Sequence, residues 1–355
     1  MKGSKVSNLD QFFAASFGHR VWIGVDVHKR SYSVAVCRDD GVMVSWKTAA
    51  DNDALVRQLV AHGMEIKALV YESGPTGFGL ARTCHNAGIP AIVAAPSRII
   101  RPVLPSAKTD NLDCRKLAEL AAKDMVRAIA VPSEEEEALR TLERRRHQLT
   151  DSLRKTRQRI RGFLLFHGLQ EPAGLDSWSN TAIAALVAMP IHPVLREVLD
   201  DYLEELRHLR GKMTRLESLL VKHTAALHQR RLACLQSVPG VGRIVACSFL
   251  SELFRPERFQ RGEEVTAYLG LAPFIKHSGE KTPAGRLRPT GHARLRSLLV
   301  EAAWVWKGRD SGVQTFYARM LRNTGLAQKA ITAVARKLAI ILWRLACEVR
   351  AYRPA

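Results

Sequence analysis

Three short runs rich in β-branched and aromatic residues stand near the N-terminus: VWIGVDV from Val21, YSVAVCR from Tyr32 and VMVSWKT from Val42. Each is short and bounded by polar residues, so each predicts a strand. Asp39, Asp40 and Gly41 read as the hairpin turn between the second and third. A helix is expected over Asp53 to Ala61, then a strand KALVYE that ends at Glu72. Gly74, Pro75 and Gly77 break the chain, a helix follows to about Ala87, and PAIVAA reads as a fifth strand. Thr109 is placed to cap a helix from Asp110 to about Ala122. Residues 1–20 read as a loosely ordered leader.

The pattern then changes period. Leu139, Leu142, Leu149, Leu153, Ile160 and Phe163 follow a helical 3-4 repeat, interrupted by Arg146 and Thr156. Leu195, Leu199, Tyr202, Leu206, Leu209, Met213, Leu216, Leu220, His223 and Leu227 alternate four and three apart without a break. A repeat that holds at 3.5 predicts a coiled-coil seam; the plainer alternative is an amphipathic helix packed on its own domain. Pro172, Gly174, Pro190 and Pro193 mark the connection between the two arms. The organisation expected is a leader at 1–20, an α/β domain at 21–133, a helical coiled-coil domain at 134–232, and a mostly α domain at 233–355. Three hairpin-like strands followed by alternating helix and strand is the order of a ribonuclease-H-like fold in the first domain.

Charge narrows the partners. The 355 residues carry 54 Lys and Arg against 34 Asp and Glu, a formal net charge of +20. Such a surplus points to a polyanion. No apolar run is long enough to span a bilayer; the richest, Ala330 to Ala346, is broken by Arg336, Lys337 and Arg344. The N-terminus lacks a signal-peptide core, and none of the six cysteines forms a CxxC pair, so reduced thiols in a cytoplasm are expected. The run Arg144, Arg145, Arg146, Arg154, Lys155, Arg157, Arg159 and Arg161 is balanced locally only by Glu143 and Asp151. A solvated helix face is one reading of it and contact with RNA or duplex backbone the other.

Four carboxylates stand out by position. Asp26 sits within the first apolar strand, Glu72 ends the fourth just before a glycine break, and Asp110 and Asp113 are three apart on one helix face. In a ribonuclease-H-like sheet those elements converge. Gathered carboxylates repel unless a cation neutralises them, and oxygen-rich clusters suit Mg²⁺ or Mn²⁺. Two such ions can activate and stabilise oxygens on phosphorus. The chain has no GxxxxGK[ST] loop, so no ATP-driven step is implied; SAKTD and SGEKT lack the preceding glycine spacing.

The third region opens on SVPGVG, Ser237 to Gly242, a helix-hairpin-helix form whose Gly240 and Gly242 would let backbone N–H groups approach a phosphate. A plain helix-ending turn explains the same residues, and the basic setting favours DNA. Next comes a Gly- and Pro-interrupted stretch holding Lys276, His277, Ser278, Lys281, Arg286, Arg288, His292 and Arg294, with Glu280 its single acid. Its cations suit a phosphate-rich substrate. By spacing alone Ser278 reads as a turn residue; as a nucleophile on phosphorus it would need activation.

These motifs resemble one family. SVPGVG followed by GLAP…SG…GR…G…LR is similar to the C-terminal domain of the insertion-sequence transposases of the IS110 family, taken to include the IS1111 group. GVDVHK, YESGPTG and KTDNLDCRKLAEL are similar to the same family's N-terminal DEDD domain, a resolvase-like ribonuclease-H fold. The resemblance runs from about residue 21 to the end. It implies that Asp26, Glu72, Asp110 and Asp113 bind Mg²⁺, with Mn²⁺ as a substitute, and that Ser278 attacks a DNA phosphodiester to give a covalent phosphoserine. It also implies donor and target DNA, a structured bridge RNA as guide, and a homo-oligomer, dimer to tetramer, in which the DEDD domain of one copy meets the serine domain of another. Two departures are visible: Arg288, Pro289, Thr290 and Gly291 stand where relatives often carry Ser-Lys before the glycine, and Phe78 stands where a tyrosine is common. A resolvase-like nuclease that hydrolyses branched DNA, and a non-enzymatic nucleic-acid scaffold, are the competing readings.

Overall fold

The computed structural model describes residues 8–96, 99, 110–274, 286–287 and 291–354; the side chains of residues 110–112, 274 and 286–287 fall outside the described set. The chain divides into two compact units, residues 1–132 and 133–355.

The first unit is a mixed α/β domain. Its strands are β1 (Arg20–Val27), β2 (Ser31–Arg38), β3 (Met43–Ala49), β4 (Glu65–Glu72) and β5 (Ala91–Ala94), and its helices α1 (Asn8–Ala14), α2 (Asn52–Val60), α3 (Gly79–Asn86) and α4 (Asp110–Ala122). The five strands form one sheet in the order β3-β2-β1-β4-β5. β1, β2 and β3 run antiparallel through tight connections, and β4 and β5 run parallel to β1. The hairpin between β2 and β3 turns at Gly41, whose φ of +85° suits a residue without Cβ. Asp51 caps α2 by accepting from the Ala54 amide at 2.9 Å.

Both faces of the sheet are covered, which explains why its central strands are near-continuously apolar. Val21, Ile23, Val25, Leu69 and Tyr71 enter a core with α2 and α3. The opposite face carries Ala35, Ala68 and Val70 under Cys114, Leu117, Ala118 and Ala121 of α4. Residues 8–14 correct the reading of a loose leader: they form α1, which buries Phe12 and Phe13, and Phe13 stacks on His62 with centroids 4.1 Å apart. Two adjacent aromatic side chains gain more from that pocket than a disordered tail gains in entropy.

The second unit is helical. α5 (Glu134–Phe166) starts at a capping box, where the Ser133 side chain accepts from the Glu136 amide while Glu136 accepts from the Ser133 amide. Four glutamates in its first turn favour the positive end of the helix dipole. α6 (Asn180–Val187) and α7 (Pro193–Gln236) follow. Arg146 pairs with Glu217 at 2.8 Å and Arg159 with Glu205 at 3.4 Å, so α5 and α7 run antiparallel. Most of the heptad seam faces inward, with Leu199, Leu206, Leu209 and Leu220 buried. The repeat fails at its end: His223 and Leu227 are exposed, and Thr224 is buried between them. α7 then kinks at His228, where φ is −141°. The seam is therefore covered at least in part by α5 of the same chain, since partner helices select the face that is buried.

The remaining helices are α8 (Arg243–Leu253), α9 (Gly262–Tyr268), α10 (Ala293–Arg309), α11 (Ser311–Thr324) and α12 (Ala327–Glu348), with the short strands β6 (Pro273–Phe274) and β7 (Arg286–Leu287). α8, α10 and α12 enclose one core around Phe249, Leu299, Trp306, Leu338 and Leu342. Among the described residues no helix is long and apolar enough to cross a membrane, and all six cysteines are free thiols.

Candidate functional site

Strand register brings two acidic residues of the first unit, Asp26 and Glu72, to neighbouring strand ends. Val25 of β1 lies opposite Tyr71 of the parallel strand β4, so the next residues, Asp26 and Glu72, leave neighbouring strands side by side. Side chains two apart share a face. Asp26 therefore lies on the face of Gly24, and Glu72 on the face of Val70, which α4 covers. Gly24 sets the height of α4. A Cβ there would lie 2.0 Å from the Cys114 carbonyl oxygen and 2.6 Å from the Ala118 amide nitrogen. Asp113 precedes that contact by one residue and is half-buried, and α4 begins at Asp110, whose side chain lies outside the described residues.

Asp26 differs from its expected setting. It is the next-to-last residue of β1 and about a quarter exposed, so it faces the rim of the sheet, where a charge stays partly hydrated. His28, which the sequence reading passed over, returns to it: Nε2 lies 3.0 Å from Asp26 Oδ2. The signal was the i, i+2 spacing at a strand end. The Cys114 thiol is pushed up to about 11, chiefly by burial, with the negative charge of Asp26 adding to it. That thiol is a buried packing group and no nucleophile.

All the ligands offered here are carboxylate oxygens, the donor set that suits a hard divalent cation. Among the described residues no three His, Cys, Asp or Glu side chains come together as a group that could hold a metal ion. Asp26, Glu72 and Asp113 would supply part of one, from two strand ends and one helix.

In the second unit, Ser278, Lys276, Lys281 and Arg288 lie outside the described residues, as does the side chain of Arg286. What frames them is described. Pro273 pairs with Leu287 and Phe274 with Arg286, so β6 and β7 close the base of the segment that holds Ser278. Gly240 has φ of +88°, and a Cβ on it would lie 2.6 Å from the Ala302 carbonyl oxygen, so this turn needs glycine in order to pack on α10. Gly242 is different: it is the N-cap of α8 and a Cβ there meets nothing within 4 Å. The space where a Gly242 side chain would stand is open.

The basic run on α5 is divided. Arg146 is committed to Glu217, and Arg157 is half-buried with its guanidinium 5.5 Å from the Trp178 ring centroid. Arg144, Arg145, Arg154, Lys155 and Arg159 are exposed, and Arg161 is half-exposed beside Glu171. Arg294 is half-buried, and its charge acts on Glu143 and His292.

Glu143 and Glu252, which the sequence reading did not single out as a pair, are both buried. Burial, then the negative charge of Glu252, raises the Glu143 carboxyl above its ordinary 4.5. An acid with a raised folded-state pKa binds its proton more tightly in the native chain. Stability is thus highest below the ordinary value and falls as pH rises through the raised one. Glu143→Gln should remove that slope. Its melting temperature should match the wild type in acid and exceed it near neutrality, each kcal/mol moving it by about 2–4 °C. A difference that does not change with pH, followed by calorimetry, would refute the burial cost.

Comparisons with known proteins match two stretches of the chain. Residues 23–168 match a transposase family of the DEDD IS110 type, and residues 232–318 match "Transposase IS116/IS110/IS902 family". The chain is 30% identical to y4qE of Sinorhizobium fredii, a protein named as a transposase, over 93% of this chain and 89% of that one. It is 26% identical to the transposase for insertion sequence element IS1111A of Coxiella burnetii, over 77% of this chain and 75% of that one. It is also 24% identical to the transposase for insertion sequence element IS1533 of Leptospira borgpetersenii, over 91% and 94%.

Proposed function

Because the chain belongs to the IS110/IS116 family of insertion-sequence transposases, we propose that it cuts and rejoins DNA strands through a Mg²⁺-dependent DEDD centre and a phosphoserine at Ser278, guided by a structured RNA. The supporting observation is the placement of Asp26 and Glu72 at adjacent strand ends beneath α4, which carries Asp110 and Asp113. The strand order, with β1 central and β4 beside it, accords with a ribonuclease-H-like domain.

In this reading Asp26, Glu72, Asp110 and Asp113 hold divalent ions, which would polarise the scissile phosphate and stabilise the departing oxygen. His28 keeps one oxygen of Asp26 oriented. Ser278 Oγ attacks phosphorus and loses its proton. One phosphorus–sugar oxygen bond breaks, and that sugar oxygen takes up a proton. Attack by the hydroxyl of a second strand reverses the exchange and restores a phosphodiester, with no nucleoside triphosphate consumed. Lys276, Lys281, Arg286 and Arg288 surround Ser278 in sequence and would offset the charge that builds on phosphorus. Gly240 and Gly242 present backbone amides, and Arg145, Arg154, Lys155 and Arg159 present an exposed basic face to RNA or duplex backbone. The serine and the acids act on one strand when copies assemble as a dimer or tetramer.

The test is Asp26→Asn, which keeps the side chain's shape and removes its charge. Affinity for the co-purifying RNA and for DNA should stay within about threefold, while strand exchange on plasmid substrates should fall about a hundredfold or more. Undiminished exchange by this variant would remove the metal centre from the mechanism.

A further inference from the structure

Gly270 and Gly291, which flank the stretch of sequence that holds Ser278, pack directly against each other. Gly291 has φ of +94°, and a Cβ on it would lie 2.6 Å from the Gly270 amide nitrogen. Arg296 Nη1 donates to the Gly270 carbonyl at 3.1 Å. Immediately beneath stands Tyr268, its ring 4.5 Å from the imidazole of His292. Its hydroxyl donates to the Glu252 carbonyl oxygen at 3.2 Å.

The Glu252 side chain is only 3% exposed and is approached by polar side chains from two directions. Arg140 of α5 reaches Oε2 through Nε and Nη2, each at 3.4 Å. Arg144 lies 3.7 Å from Oε1. From the other side His292, the residue just before α10, places Nδ1 3.4 Å from Oε2. Neutralising Arg140 alone would require no group from the segment's exit. A buried carboxylate shared between α5 and His292 does more: it holds the start of α10 against α5. Losing one partner of such a cluster leaves the others buried and unpaired.

We propose that Glu252 is a positioning residue that clamps the exit of the Ser278 segment, through His292, to α5. It touches no substrate. Its effect on chemistry rests on the reading of Ser278 as nucleophile, since a loop displaced by about 1 Å can cost up to about a hundredfold in rate.

The experiment compares full-length wild type with Glu252→Gln. Hydrogen exchange by mass spectrometry should speed up about fivefold or more at residues 268–274 and 286–292, with the interior of α8 still protected. At saturating DNA, formation of the protein–DNA adduct should slow about tenfold, with DNA affinity changed less than about twofold. Unchanged exchange at the two ends would overturn the clamp. So would a lower melting temperature with an unaltered adduct rate, which would make Glu252 a packing residue only. His292→Gln, which leaves Arg140 on Glu252, should give the same slowing without loss of stability, and it decides the matter if Glu252→Gln fails to fold. If the wild type forms no adduct, the serine reading falls, and the exchange measurement alone decides the clamp.

Discussion

Ser278→Ala is expected to yield no denaturation-resistant protein–DNA adduct and to lower strand exchange by at least about 10³-fold, the scale on which nucleophile loss falls in covalent catalysis. The reasoning is chemical. An alanine offers no oxygen to phosphorus, and a water in its place releases the broken end with no stored bond. The variant should therefore bind DNA with wild-type affinity, because the surrounding cations and the β6–β7 pairing that closes the segment are untouched. Gel analysis of labelled substrate after boiling in detergent reads the adduct directly. Cleavage by the wild type that leaves no protein on the DNA would favour the resolvase-like hydrolytic reading. Full exchange by Ser278→Ala would end the serine role.

Gly24→Ala carries the second largest effect. One methyl group would sit 2.0 Å from the Cys114 carbonyl and 2.6 Å from the Ala118 amide, both backbone atoms of a helix already seated on the sheet. No rotamer change relieves a backbone clash, so α4 must lift. Lifting it opens the packing of Leu117 and Ala121 against Ala68 and Val70. A cost of about 3 kcal/mol or more is expected, lowering the melting temperature of the first unit by about 10 °C. Activity should fall further than stability, because α4 carries Asp110 and Asp113 while Asp26 stays on the sheet. A variant with wild-type melting and exchange would show that the acids need no such close approach.

Much of the architecture was legible in local signals. Strands β1 to β5 follow from β-branched runs, and α4 runs from Asp110 to Ala122 as its pattern indicated. The acids stood out because Asp26 is a charge inside an apolar strand, Glu72 ends another before a glycine break, and Asp110 and Asp113 are three apart on a helix. What was misread depended on distant partners. Phe12 and Phe13 carry no periodic signal, and only His62 and Trp46 show that they have a pocket. The heptad pattern could not tell that its last positions, His223 and Leu227, would be exposed. The Ser278 motif is recognisable by resemblance, while the weight of Gly24, Glu143 and Glu252 is not, because each matters through a neighbour far along the chain.

The order of strands and helices, the surplus of positive charge and the identity of the acidic and serine motifs belong to the chain taken residue by residue, because period, propensity and charge act over a few positions. Which carboxylates stand beside one another, how close α4 comes to β1, and which cations Arg146, Arg157 and Arg140 surrender to internal partners were decided only on folding. Register, close packing and burial join residues far apart in the chain, 112 positions in the case of Arg140 and Glu252, and no local pattern encodes that distance.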